Sequence, residues 1–277
     1  MIAVHTAASV GSEMCTQLLF GELVEVIERK SKEWLKIRCQ ADHHIGWIKT
    51  NQIIAITQRE FELFQQSFAY CLEVTHPLMA NQHFVPITIG ARLPQFNGMQ
   101  FQLGDERYQF SGLAVEASEV PRTAELVQKI ARRYLHSPYL HGGRSPFGID
   151  SAGLVQIVLQ MIGIALPREA AQQMMFGETI DFVEQTQVGD LAFFEDRVGR
   201  VAHVGMLMEE QKIMHAYGKV KIDQLDHFGI FDVNLQQYTH KLRVIRRILP
   251  TTTTKEELSA NVVKESKVIT SSASLFD

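Results

Sequence analysis

Three residues of this chain, Ser151, His203 and His215, could carry nucleophilic chemistry. Ser151 follows Asp150 and opens the apolar-periodic run Ala152-Gly153-Leu154-Val155-Gln156-Ile157-Val158, the pattern of a helix whose positive dipole end lies at residue 151. A hydroxyl or thiol there, an imidazole that takes its proton and a third group that orients the ring would make an acyl-transfer site. His203 stands in His203-Val204-Gly205 and His215 in Met214-His215-Ala216. The interval of twelve residues suits adjacent antiparallel strands joined by a hairpin around Glu209-Glu210-Gln211-Lys212. Taken alone, the histidines could equally be unrelated in space, or metal ligands without an evident third partner. Ser151 could equally be a helix N-cap, a role serine fills whether or not it reacts.

The elements that must position these residues fall into stretches of different periodicity. Residues 1–56 hold short alternating runs, including Leu23-Val24-Glu25-Val26-Ile27, Trp34-Leu35-Lys36-Ile37-Arg38 and Ile45-Gly46-Trp47-Ile48, with Gly21 and Gly46 at bends. They predict a small, curved, partly open barrel. Residues 57–119 open with a helix predicted over Arg59–Leu72, with Phe61, Phe64, Phe68 and Leu72 on one face. A second β-rich stretch follows, through Val85-Pro86-Ile87-Thr88-Ile89 and Phe101-Gln102-Leu103. Residues 120–250 begin with a helix capped by Thr123, continue with helices over Ser151–Ile162 and from Pro167 to Met174, and end in strands. Those strands are predicted over Leu191–Phe194, Val201–Met208, Lys212–Ala216 and Leu242–Leu249. Such an order predicts an α+β domain with helices on one face of an antiparallel sheet. Residues 251–277 are polar with scattered apolar residues and read as a mobile tail.

With 277 residues, 45% hydrophobic and 21% charged, the chain can bury a sizeable core. A net charge of -4 gives no electrostatic reason to expect nucleic acid or an anionic membrane surface as partner. No run approaches a membrane span and no signal pattern opens the chain, so the expected location is the cytoplasm, or the periplasm or exterior if a signal has been removed. Cys15, Cys39 and Cys71 lack C-x-x-C spacing, lie outside residues 120–250 and read as reduced and buried.

The stretch His141-Gly142-Gly143 to Asp150-Ser151-Ala152-Gly153-Leu154, followed by His203-Val204-Gly205 and Met214-His215-Ala216, resembles the NlpC family of papain-like cell-wall peptidases. Gly189-Asp190-Leu191 and Leu166-Pro167-Arg168 match further family signatures. Leu19-Phe20-Gly21-Glu22, with Gly46-Trp47-Ile48, looks like a bacterial SH3-like domain, and residues 57–119 resemble the second such domain of some relatives. The resemblance implies a papain-like catalytic domain preceded by two SH3-like barrels that flank the cleft and restrict it to peptides with a short free amino end. It implies hydrolysis of the γ-D-glutamyl to diamino-acid bond in peptidoglycan-derived peptides of the L-Ala-γ-D-Glu-diamino acid type, in cell-wall recycling and without a cofactor. Ser151, His203, His215 and Tyr139 would take the catalytic places, Tyr139 offering its hydroxyl to the oxyanion. Asp150, Ala152, Glu13, His44 and Arg168 would take ligand-binding places.

Four positions depart from the family pattern: Ser151 for cysteine, Ala152 for the following serine, His141 for an aromatic and His44 for a tyrosine. A cysteine there is partly thiolate at neutral pH, whereas a serine hydroxyl needs concerted proton removal. The chain is not an α/β-hydrolase, since Gly-x-Ser-x-Gly would require glycine where Ile149 stands. Three functions follow: a peptidase with an altered nucleophile, a non-catalytic relative that binds peptide or a protein partner in the same cleft, and a metal-dependent hydrolase using His203, His215 and Asp190.

Overall fold

The computed structural model describes residues 1–250; the tail expected over 251–277 lies outside the described residues. At the amino end, β1 (Ile2–His5), β2 (Met14–Leu18), β3 (Val24–Arg29), β4 (Trp34–Cys39) and β5 (Ile45–Lys49) form one sheet ordered β2-β1-β5-β4-β3. Val4, Leu18, Leu35, Ile37 and Ile48 fill it, the inward half of the alternation seen in the sequence.

Helix α1 runs from Gln58 to Gln66, shorter than the predicted Arg59–Leu72. Its start is a capping box, in which the Thr57 hydroxyl accepts from the Glu60 amide and the Glu60 carboxylate accepts from the Thr57 amide. Past Ser67 the chain turns extended, because Phe68-Ala69-Tyr70-Cys71 has neighbours to pair with on both sides. This strand, β6 (Phe68–Cys71), lies between β9 (Arg92–Pro94) and β12 (Ala114–Glu116), while β7 (Thr75–Met79), β8 (Phe84–Thr88), β10 (Gln100–Leu103) and β11 (Glu106–Gln109) make a second sheet. The two sheets share a core of Leu78, Ile87, Leu93, Phe101, Tyr108 and Phe110.

The carboxyl-terminal unit starts with α2 (Ala124–Arg132), capped by Thr123, and the short hairpin β13 (Arg144–Ser145) and β14 (Gly148–Ile149). Helix α3 (Ser151–Met161) is buried along its whole length. After α4 (Ala170–Gln173) and β15 (Glu178–Ile180) come β16 (Leu191–Glu195), β17 (Val201–Leu207), β18 (Lys212–Tyr217), β19 (Lys219–Leu225), β20 (Gly229–Asp232) and β21 (Gln237–Arg247). The β17–β18 connection places Glu210 and Gln211 at φ 58° and 54°, the left-handed pair of a type I′ hairpin turn.

The expected sheet is in fact closed. β21, eleven residues long, pairs with β16 on one side and β20 on the other, so six strands form a barrel without a free edge. Strands β19 and β20 were not predicted, although Val220, Ile222 and Asp223 to Leu225 carry a near-alternating pattern. Val204, Met206, Met214 and Ala216 face α3. Ile213, Phe194 and Leu207 face the other way, into the barrel. Among the described residues, no helix is long and apolar enough to cross a membrane.

Candidate active site

Asp150, and not Ser151, caps α3: its backbone is extended and its Oδ1 accepts from the Gly153 amide at 2.7 Å. The N-cap role weighed for Ser151 is therefore taken, and Ser151 is the first residue inside the helix, 6% exposed. Asp150 Oδ2 accepts from the Gly142 amide at 2.8 Å, and both oxygens receive the Arg168 guanidinium, at 3.0 and 2.6 Å. Arg168 Nε also donates to Thr16 Oγ1 of β2 at 3.1 Å, which fastens the helix start to the first barrel. The polar atoms of Asp150 and Arg168 are thus spent on each other and on the backbone. Ala152 is buried beneath the same turn, where Gln173 Nε2 donates to its carbonyl.

The glycine pair allows this approach. A Cβ on Gly142, whose φ is 76°, would sit 2.4 Å from the Met14 carbonyl oxygen, and one on Gly143 would sit 2.3 Å from that of Gly148. Beside them His141 Nε2 meets Glu13 Oε1 at 3.0 Å across the mouth between barrel and helix, both side chains largely exposed. His44, in the connection between β4 and β5 of the first barrel, is half-buried, its Nε2 buried without a hydrogen-bond partner, and burial lowers its pKa. A second buried pair, Arg144 with Glu22 at 2.8 and 2.9 Å, adds Gln160 and the Gln17 carbonyl to the contact between units. Burial alone would raise the Glu22 carboxyl, but the Arg144 charge and its hydrogen bonds outweigh that and hold it low. The sequence reading missed this pair; its only signal was an arginine directly after the glycines.

His203 and His215 come together as their spacing predicted. His203 Nε2 lies 2.9 Å from His215 Nδ1, and His215 Nε2 lies 3.0 Å from Asp223 Oδ2 on β19. Lys221 Nζ braces Asp223 at 2.8 Å and Asp232 at 2.6 Å. The carboxylate assigns the tautomers in turn: His215 holds its proton on Nε2, its Nδ1 accepts from His203 Nε2–H, and His203 Nδ1 is left as a lone pair. Burial, followed by the neighbouring His240 and His215, holds His203 well below the usual histidine range, so the ring is a neutral base. Burial lowers His215 as well, against the pull of Asp223. His240 on β21 stacks on His203 with ring centres 4.1 Å apart and planes at 26°. Asp223 and His240 were both missed: Asp223 lies on β19, an unpredicted strand that hairpins back beside β18, and His240 reaches the pair only when β21 closes the barrel.

Tyr139 links the two halves. It bridges Ile149 in parallel, two residues before Ser151, and its amide donates to the Gly218 carbonyl, three residues past His215. Its side chain is 44% exposed, and burial of the remainder, ahead of the Asp150 charge, raises the phenol so that it stays a donor. Asp190, offered by the sequence as a metal ligand, is instead held by Arg247 at 2.9 and 2.8 Å and by the Gln187 amide. None of the three cysteines lies at the start of α3: Cys39 and Cys71 are buried, Cys15 is half-buried in the first barrel, and desolvation raises all three, Cys71 to about 11.

Comparison with known proteins agrees with this architecture. Residues 136–240 match the NlpC/P60 family and residues 4–53 the bacterial dipeptidyl-peptidase SH3 domain. The chain is 26% identical over 227 residues to a γ-D-glutamyl-L-lysine dipeptidyl-peptidase of Bacillus subtilis, covering 73% of this chain and 71% of that one. It is 30% identical over 128 residues to a probable endopeptidase of Haemophilus influenzae, covering 46% of this chain and 77% of that one. A crystal structure of an NlpC/P60 family protein from Bacillus cereus superposes with a TM-score of 0.73 at 23% identity, over 86% of this chain and 83% of that one. With a helix-start nucleophile position, a histidine pair on a closed antiparallel barrel and an SH3 domain docked at the cleft, the chain belongs to the NlpC/P60 family.

Proposed function

We propose that this protein is a hydrolase of the γ-D-glutamyl to diamino-acid bond that takes free stem peptides of the L-Ala-γ-D-Glu-diamino acid type in the cytoplasm, with Ser151 as its nucleophile. The ordered proton path from Asp223 through His215 to His203 carries the reading, since it leaves a neutral imidazole with its Nδ1 lone pair free. A neutral imidazole can take a proton from a hydroxyl, or from a thiol, at residue 151. In this mechanism Ser151 Oγ attacks the γ-carbonyl carbon while its proton passes to His203 Nδ1. The Tyr139 hydroxyl donates to the oxyanion. The C–N bond breaks as His203 returns the proton to the leaving amine, and water then cleaves the ester by the same path, regenerating Ser151. Glu13, at the mouth opposite His141, is the group that would receive the ammonium end of the peptide.

A second reading, a relative that holds such a peptide or a protein partner without cleaving it, is favoured by Ala152 and His44, which stand where the family pattern has a serine hydroxyl and a tyrosine phenol. Hydrolysis of L-Ala-γ-D-Glu-L-Lys by the wild type, Ser151→Cys and His203→Ala decides between them. Slow wild-type turnover lost in His203→Ala, and raised about 100-fold in Ser151→Cys through the greater nucleophilicity of sulfur, is the expected result. Silence of both active-site forms in folded protein would leave the binding role.

A further inference from the structure

We infer that His203, His215 and His240 form a binding site for one divalent transition-metal ion of the Zn²⁺ class, independent of whether Ser151 turns over peptide. One ring nitrogen from each histidine lies within 4.8 Å of the others. Their second nitrogens tell which atoms are free to bind. His215 Nε2 is engaged by Asp223 at 3.0 Å, leaving Nδ1 for the metal; the carboxylate–histidine–metal arrangement requires such a partner. His240 Nδ1 is engaged by Thr239 Oγ1 at 2.9 Å, leaving Nε2. His203 already directs Nε2 at His215 Nδ1. Imidazole donors without thiolate or a ring of carboxylates suit Zn²⁺, and three protein ligands leave a fourth position for water or a peptide oxygen.

The rings are not yet arranged around an ion. Tetrahedral coordination at about 2.05 Å from each nitrogen sets donor separations of about 3.4 Å, so the widest gap must close by about 1.4 Å. His203 and His240 also lie face to face. His240 is the ring that can turn: it is half-buried and its one side-chain hydrogen bond is to a hydroxyl on the adjacent residue, whereas His215 is wholly buried and braced by Asp223. Metal binding replaces the His203–His215 hydrogen bond and moves the His203 proton from Nε2 to Nδ1. The atom that would accept the Ser151 proton is then blocked, so occupancy of this site and general-base catalysis exclude each other.

The test is isothermal titration of the chelator-treated full chain with Zn²⁺, with the visible absorption of the Co²⁺ form reporting a tetrahedral nitrogen site. One equivalent should bind, His240→Phe should weaken it at least 100-fold, and His141→Ala, which removes the exposed histidine–carboxylate pair at the cleft mouth, should leave it unchanged. Asp223→Asn keeps all three ligands and should cost about 10- to 100-fold, a readout that serves if His240→Phe fails to fold. Absence of stoichiometric binding, or equal affinity in wild type and the His240 and Asp223 variants, overturns the site. Loss on His141→Ala would assign the ion to the cleft mouth and overturn it too.

Discussion

Two buried polar networks, one at the helix start and one in the barrel wall, differ in whether they are closed. At the helix start, Asp150 accepts from Gly142, Gly153 and Arg168, and Arg168 reaches Thr16, so both carboxylate oxygens and all three guanidinium nitrogens are engaged inside the protein. In the barrel wall, the chain Asp223–His215–His203 ends on a free nitrogen, with the underused ring of His240 beside it. A closed network fixes positions and offers nothing to a ligand; an open one keeps a group whose pairing must be completed by a substrate, a nucleophile or an ion. The difference separates residues that hold the cleft from residues able to act in it, although both sets lie on the family's signature.

That separation can be broken from either side. Arg168→Leu leaves Asp150 buried and uncompensated, and should cost about 3–5 kcal/mol of stability, read as a shifted urea midpoint. It should also loosen the first barrel, seen as faster proteolysis between residues 50 and 60. Asp223→Asn in the Ser151→Cys background should lower kcat about 10-fold or more by releasing the tautomer of His215, while its urea midpoint moves less than that of Arg168→Leu; a larger stability loss than activity loss would erase the distinction. A third effect concerns pH. Burial holds His240 at about 4 in the folded protein against 6.5 as its ordinary value, and His203 and His215 are lowered too. As pH falls through 6.5 the unfolded chain takes up protons that the folded one does not, so stability present above 6.5 is progressively lost toward pH 4. The melting temperature should fall over that window, and His240→Phe should flatten the slope. An unchanged slope would place the titration elsewhere.

The spacing of His203 and His215 was readable because strand alternation and a short hairpin are local properties, and the type I′ turn at Glu210-Gln211 realises them. Helix α1 was overextended because Phe61, Phe64 and Phe68 keep a helical period until the pairing of Phe68–Cys71 with β9 and β12 overrides it. The cap was open between neighbours: both Asp150 and Ser151 are good caps, and the Gly153, Gly142 and Arg168 contacts decide that Asp150 takes the place.

By itself the sequence determined the order of units, the helix that begins at residue 151, the serine at its start and the histidine pair, because each is written in adjacent residues or in a fixed period. Only the tertiary structure decided that Asp223 orients His215, that His240 joins the pair, that Asp150 and Arg168 are spent on each other and that Arg144 is buried against Glu22. Those contacts join residues as much as 122 positions apart. The Arg144–Glu22 pair depends on domain docking and the approach of His240 on barrel closure, which no local pattern encodes.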